Sequence, residues 1–476
     1  MLAALIGCSG GMDTGTDGGG TPGPDGGSAD AGEALDGGGG MDGGATDDGG
    51  GATDGGFPMV ACDDAPDDVY AVDPATVAAA APGEIVACAE DGALTMEQLE
   101  SQITADGVTV ASGAQRILLA YRTERQPGVP GVGSALLLIP DTPVDGPLIV
   151  VNHGTAGHAD TCAPSTRDTV DPDLALPWVA SGLATITVDY AGLGTPGIQG
   201  YGDAFDTAQS VLDGARAAQR YLREARPLVI TGHSQGGAAT LSAQGLAPTY
   251  APELTVEHAI AFAGGTDEAL ELTPASAPFL GAIPITGGLG VNRAIWAMLV
   301  YADFANRFGE ERAGDGFHPS IRDTVVASME TDCIFAMATT LATPSAGYVP
   351  PNTFGQLVDP DFLAGLQACV RGDAECTPEG MAFLEQRTER GFIGVDGDGA
   401  DVLLISGSLD TLHPGTEFSC VRDAAEATGA TVDACYVTGA THFDITGRGI
   451  GTALELVLEG TLTCPTPEGT PPPCGG

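Results

Sequence analysis

At 476 residues with 43% hydrophobic side chains, the chain is long enough to bury a sizeable core as one large domain with insertions. Its 64 Asp and Glu outnumber 17 Lys and Arg, all of them Arg, and the formal net charge of −47 excludes nucleic acid and anionic membrane surfaces as binding partners.

The first legible element is Leu5–Cys8, LIGC, with the apolar, apolar, small, Cys order of a bacterial lipoprotein cleavage site. Residues 1–8 are therefore expected to be the remnant of an export signal, with Cys8 the lipidated first residue of the mature chain. That places the protein in the cell envelope, either lipid-anchored at the outer membrane or extracellular. No other stretch is long and apolar enough to span a bilayer. Setting Cys8 aside leaves ten of the 11 cysteines. An even number without a Cys-x-x-Cys pair favours disulfides over zinc. The near neighbours Cys369/Cys376, Cys420/Cys435 and Cys464/Cys474 are the candidate local bridges.

Residues 9–57 are mostly Gly, Asp, Thr and Pro. They lack the apolar surface to offset the entropy of ordering, so a disordered acidic, Gly-rich tether is expected. Globular patterning begins at residue 58. RILLAYRT and SALLLIP read as an early strand pair. LIVVNHG, LATITVDY, LVITGHS, AIAFAGG, VLLISGS and ACYVTGA follow, short apolar runs that read as strands buried on both faces of a parallel sheet. Helical stretches lie between them: DTAQSVLDGARAAQRYLREAR, stopped by Pro227, and EFSCVRDAAEATG, stopped at Gly429. The alternation implies an α/β, mostly parallel, doubly wound sheet over 58–264 and 401–476. The interval 265–400 breaks the rhythm with amphipathic segments such as NRAIWAMLVYADFANRFGE. It reads as a helical cap or lid inserted over the C-terminal edge of the sheet, where open α/β sheets bind ligands.

Two Gly-x-Ser-x-Gly matches occur, GCSGG at Gly7–Gly11 and GHSQG at Gly232–Gly236. Only the second has a strand before it and a helix after it, the elbow that holds a serine exposed at strained backbone angles. Ser234 is therefore the candidate nucleophile. A serine hydroxyl needs a base, and the chain order expected is Ser, acid, His. Of the histidines after Ser234, His258 opens a strand and His318 lies in the cap. His413 stands three residues beyond the best acid, too near for an independent loop to present it. His442, in a turn after ACYVTGA, is the candidate base. Asp410, directly after VLLISGS, is the candidate acid that fixes the imidazole tautomer; Asp398, Asp401 and Asp433 do not follow a strand end. An oxyanion hole needs two backbone N–H groups. Gln235 is one candidate, and the loop after LIVVNHG supplies the other through Thr155 or Asp160, with His153 as a structural side chain there. No metal and no cofactor are implied.

The motifs HGTAGHADTCAPS at 153–165, VDYAGLGTPG at 188–197, LDGARAAQ at 212–219 and GHSQGG together resemble the secretory lipase family, lipase A type, of the α/β hydrolases. The resemblance covers roughly 110–264 and 400–450. It implies an α/β-hydrolase fold, hydrolysis of triacylglycerols or other carboxylic esters, a Ser234, Asp410 and His442 triad, and a cap that forms the acyl tunnel; a monomer is expected separately. It favours Asp160 as the second oxyanion donor. A serine peptidase or carbohydrate deacetylase on the same fold, or a binding protein on an inactive scaffold, are the competing expectations.

Overall fold

The computed structural model describes residues 57, 59–166, 171–265, 272–287 and 290–474. The expected tether apart from Phe57, the lipidation site at Cys8 and the decoy at Gly7–Gly11 lie outside the described residues.

Nine strands form one sheet: β1 (Ile85–Leu94), β2 (Ala114–Gln126), β3 (Val129–Pro140), β4 (Leu148–Asn152), β5 (Thr185–Asp189), β6 (Leu228–His233), β7 (Val256–Phe262), β8 (Asp401–Gly407) and β9 (Val432–Val437), in the order β1-β2-β3-β5-β4-β6-β7-β8-β9. β1 to β3 form an antiparallel meander that joins β5, and all later pairings are parallel. The fold is thus α/β with a mostly parallel sheet. β4 and β5 are buried along their whole length: β4, LIVVN, is the apolar run expected of a central parallel strand, whereas β5, TITVD, buries Thr185, Thr187 and Asp189 as well. β1 was not foreseen. Its charged half, Glu90 and Asp91, is tolerated because the strand pairs along its length with β2 alone, makes only an isolated bridge from Ala89 to Asp63 on its other edge, and breaks register between Glu90 and Ala93.

β4 is flanked by β5 on one side and β6 on the other, so the winding direction reverses there. The loops after β4 and β6 consequently leave the sheet at one edge and flank a crevice. The helix Ala204–Leu222 packs on one face of the sheet, with Val211, Leu212 and Ala215 in one cluster with Leu119, Val150 and Ile186. Asp203 caps it by accepting the Phe205 and Asp206 N–H groups, both at 3.0 Å. It ends at Arg223, φ 57°, with the Glu224 N–H bonded to the Gln219 carbonyl at 3.1 Å. That left-handed closure satisfies the last carbonyls and stops the helix before Pro227 is reached.

Between β7 and β8 the chain leaves the sheet and builds helices Val291–Phe308, Arg322–Thr331, Ile334–Ala342, Pro360–Arg371 and Pro378–Glu385 around an apolar cluster of their own that includes Met298, Phe304, Phe317, Phe354, Phe362 and Phe383. The cap is joined to the core by a two-pronged ion pair from Arg390 to Asp203, 2.6 and 2.9 Å, and by the disulfide Cys162–Cys333. No helix among the described residues is long and apolar enough to cross a membrane.

The ten described cysteines form five bridges: Cys62–Cys88, Cys162–Cys333, Cys369–Cys376, Cys420–Cys474 and Cys435–Cys464. Of the three local bridges expected, only Cys369–Cys376 forms. Cys420 and Cys435 cannot meet because the alternation of β9 sets them on opposite faces of the sheet. Cys435 packs with Val437 toward the helix Ile445–Glu459, while Tyr436 packs with Phe418 and Val421 of the helix Gly415–Ala427 that carries Cys420. The C-terminal segment instead runs along the edge of β9, with Thr438 and Gly469 N–H groups bonded to Pro467 and Tyr436 carbonyls, and bridges both faces in turn.

Candidate active site

Ser234 stands between β6 and the helix Gln235–Tyr250 at φ 58°, ψ −119°, a conformation rare for a residue with a side chain. Its N–H is tied to the Phe262 carbonyl at 3.0 Å. The flanking glycines are required by the packing. A Cβ on Gly232 would strike the Gly236 carbonyl, and one on Gly236 would strike the carbonyl of Asn152 at the end of β4. The turn is therefore wedged between two strands with no room to relax. It projects the hydroxyl at the sheet edge and leaves Gln235 at the start of the helix, where backbone N–H groups have no intrahelical acceptor.

His442 follows β9 and is buried, with Nδ1 2.8 Å from Asp410 Oδ2. The other Asp410 oxygen accepts the N–H groups of Leu412 at 2.9 Å and His413 at 2.8 Å. Burial pushes the Asp410 carboxyl upward. The hydrogen bond and charge of His442, together with the His413 N–H, outweigh it and hold the group below the usual carboxylate range. The two loops are fixed to one another: Leu409 N–H donates to the Ala440 carbonyl at 2.8 Å and Gly439 N–H to Ser408 Oγ at 2.8 Å. Gly407 is a glycine because a Cβ there would collide with that Ala440 carbonyl.

A further histidine, His233 in the elbow, links the two halves of the site. Its Nε2 donates to the His442 carbonyl at 2.7 Å. Burial, then the nearby His442, lower its pKa to about 3, so it serves as a neutral donor. Sequence reasoning missed this role; the only signal was its place as the middle residue of Gly-x-Ser.

Ser234, Gln235 and His442 line a single cavity of about 640 Å³, with Asp410 behind His442. Gly154, at the start of the loop after β4, lies against the serine: a Cβ built on it would stand 3.7 Å from the Ser234 Cβ. Thr155 also lines the cavity, its hydroxyl 2.9 Å from Tyr201 Oη. Asp160 opens a short turn, Asp160–Cys162, faces solvent, and is not among the cavity-lining residues. His153 Nδ1 bonds the Gly154 carbonyl at 2.6 Å, and Tyr190 Oη donates to the His153 carbonyl at 2.9 Å, so both brace the loop. The helix Val291–Phe308 presents Val291, Ile295, Trp296 and Leu299 to the cavity, one helical face. Phe335 of the cap and Phe443 beside His442 are both more than half exposed and pair at 5.8 Å on its rim. His258 lies within β7 and His318 bonds Ser320 in the cap, so neither approaches the serine by way of this cavity wall. Among the described residues there is no cluster of His, Cys, Asp or Glu able to hold a metal ion.

Beneath the loop, Asp189 at the end of β5 is fully buried. It accepts the Ser134 hydroxyl at 2.9 Å and the Ser165 hydroxyl, and Ser165 also bonds Tyr70. Burial raises the Asp189 pKa to about 7 despite those donors. A carboxyl raised in the folded state contributes stability that is lost as pH climbs from the unfolded value near ~4 through that raised value. Asp189→Asn keeps the shape and cannot ionise. Its unfolding midpoint relative to the parent is expected to move in its favour between about pH 5 and about pH 8.5. A difference independent of pH, measured by thermal or denaturant unfolding at both ends, would show that Asp189 carries no titration there.

Residues 166–275 match the model of the secretory lipase family, a stretch that holds β5, the helix Ala204–Leu222, the elbow and β7. Over that stretch the resemblance read from VDYAGLGTPG, LDGARAAQ and GHSQGG is borne out; HGTAGHADTCAPS at 153–165 lies before it. No curated protein sequence matches the chain. Among solved structures, Candida antarctica lipase A in its closed state is similar with TM-score 0.59 and 18% identity, over 86% of this chain and 89% of that one. The rice cell wall degrading esterase LipA from Xanthomonas oryzae is similar with TM-score 0.62 and 16% identity, over 80% of this chain and 100% of that one. At such identities these likenesses speak for the fold. The family match over residues 166–275 supports a hydrolase of the lipase type.

Proposed function

We propose that this chain is an exported carboxylic ester hydrolase, a lipase or esterase, that works through a covalent acyl-enzyme. Ser234 Oγ attacks the ester carbonyl, His442 takes its proton, and Asp410 holds the tautomer and stabilises the imidazolium. The developing oxyanion is met by the Gln235 N–H and by a backbone N–H of the loop after β4. Thr155, on the cavity wall, suits that second role better than the solvent-facing Asp160. His442 then protonates the leaving alcohol, water attacks the acyl group, and the acid departs. The carrying observation is the His442–Asp410 pair opening onto the same cavity as a serine held at φ 58°.

The apolar face of Val291, Ile295, Trp296 and Leu299 favours a long acyl chain over a peptide or an acetylated sugar. The test is a series of p-nitrophenyl esters. Turnover is expected to rise from acetate toward medium and long chains, with negligible hydrolysis of peptide amides. Activity confined to acetyl esters, or equal on amides, would remove the lipase reading. Anchoring to the envelope through Cys8 belongs to the same proposal. In cells the activity should sediment with membranes and become soluble in Cys8→Ser; an unchanged distribution would count against the anchor.

A further inference from the structure

We infer that Glu417 is a positioning residue of the proposed hydrolytic site, its carboxylate acting through His413 to favour the His442 imidazolium that forms as Ser234 gives up its proton. The inference rests on the ester-hydrolase reading above.

The cavity holds a second histidine and carboxylate pair beside the first. His413 Nδ1 lies 2.8 Å from Glu417 Oε1, and the His413 ring sits 5.3 Å from the His442 ring at 34°. His442 is thereby flanked by two imidazoles, His233 at 4.7 Å and His413. Glu417 is buried and lines the cavity, and its Oε2 has no hydrogen-bond partner. A buried carboxylate with a bare oxygen is costly to keep. Its place in the first turn of the helix Gly415–Ala427 offsets part of that cost through the helix dipole. The dipole does not explain why the chain makes room for the pair: a Cβ on Gly265 would collide with both Glu417 Oε1 and His413 Nδ1. Nor does it explain why His413 is set against the proposed base.

The other described charged groups near His442 have partners or are held neutral. Asp410 bonds it directly. His233 is held neutral by burial. Asp444, in the turn after His442, is paired with Arg448 at 2.9 Å, and Arg387 on the cap side is paired with Asp303 at 3.2 Å. On the opposite wall burial pushes Asp171 up to about 6, and Asp173 is bonded by Thr104 and Ala105 N–H groups. Tyr436 of β9 is raised by burial and by Asp410. Asp267, Glu268 and Glu271 lie outside the described residues. Among the described residues Glu417 is paired with His413 and with no Arg, and while His413 is neutral the low-dielectric surroundings let the carboxylate field reach His442.

The test is the pH profile of kcat/KM on a p-nitrophenyl ester, using the full chain. Glu417→Gln should move the acid limb to lower pH by roughly 0.5–1 unit and lower the plateau roughly threefold. Glu417→Asp, which keeps the charge, should restore the limb. His413→Lys places a fixed cation on the same carboxylate and should shift the limb in the same direction, which keeps the test open if Glu417→Gln does not fold. A residue that merely braces the helix would lower the unfolding midpoint and leave the limb in place. A limb that moves by less than about 0.2 unit in both Glu417→Gln and His413→Lys overturns the inference. Ser234→Ala separates the two claims. If it keeps turnover, the Ser234 acyl-enzyme route of the proposed function fails; if it is inactive while the limb stays put, only the role of Glu417 fails.

Discussion

Ser234→Ala is expected to lower kcat/KM on esters by roughly four to six orders of magnitude while leaving a folded protein. The size follows from what the hydroxyl does in the proposed route: it forms the bond to the acyl carbon, so its loss removes the covalent step and leaves only binding and the oxyanion donors. The fold should not suffer, because Ser234 makes no side-chain capping bond to its helix and its backbone is held by the Phe262 carbonyl and by the close approach of β4. Alanine at φ 58° is as strained as serine, so the unfolding midpoint should barely move; Ser234→Gly, which relieves the strain, should raise it. Activity and thermal unfolding of the three proteins settle this. Residual turnover within tenfold of the parent would mean that another group is the nucleophile.

What could be read in the sequence was local. β4 to β9 announce themselves because each is a short apolar run ending in a small or polar turn, and Ser234, Asp410 and His442 could be picked out because each follows such a run. β1 could not, since an edge strand needs only one good face and its Glu90–Asp91 segment looks like loop. The disulfides were misjudged for a related reason: proximity in sequence says nothing about which face of β9 a cysteine occupies, and Cys435 and Cys420 fall on opposite faces. His233, Gly154 and Glu417 were silent as well. Their significance comes from strand order, which lines up the ends of β4, β6, β7 and β8 along one edge of the sheet, and no local pattern encodes that order.

Asp410→Asn should lower kcat by roughly 10³–10⁴ with little change in KM. Asp410 accepts a proton-bearing Nδ1 from His442 at 2.8 Å and receives two backbone N–H groups on its other oxygen. Those backbone donors need an acceptor, so the amide oxygen of Asn turns toward Leu412 and His413 and its NH₂ faces His442. An NH₂ there can only donate. It forces the imidazole to offer Nδ1 as acceptor and to carry its proton on Nε2, the nitrogen that must take the proton of Ser234. Stability gives an independent reading. Because Asp410 is held below the usual carboxylate range, its charge contributes stability that is present above the unfolded value near ~4 and is lost as pH falls through the lower folded value. The parent should therefore exceed Asp410→Asn in unfolding free energy at neutral pH, and the gap should close in acid. A variant that keeps more than about a tenth of kcat, or a stability gap that widens on acidification, would show that Asp410 is not the partner that orients the base.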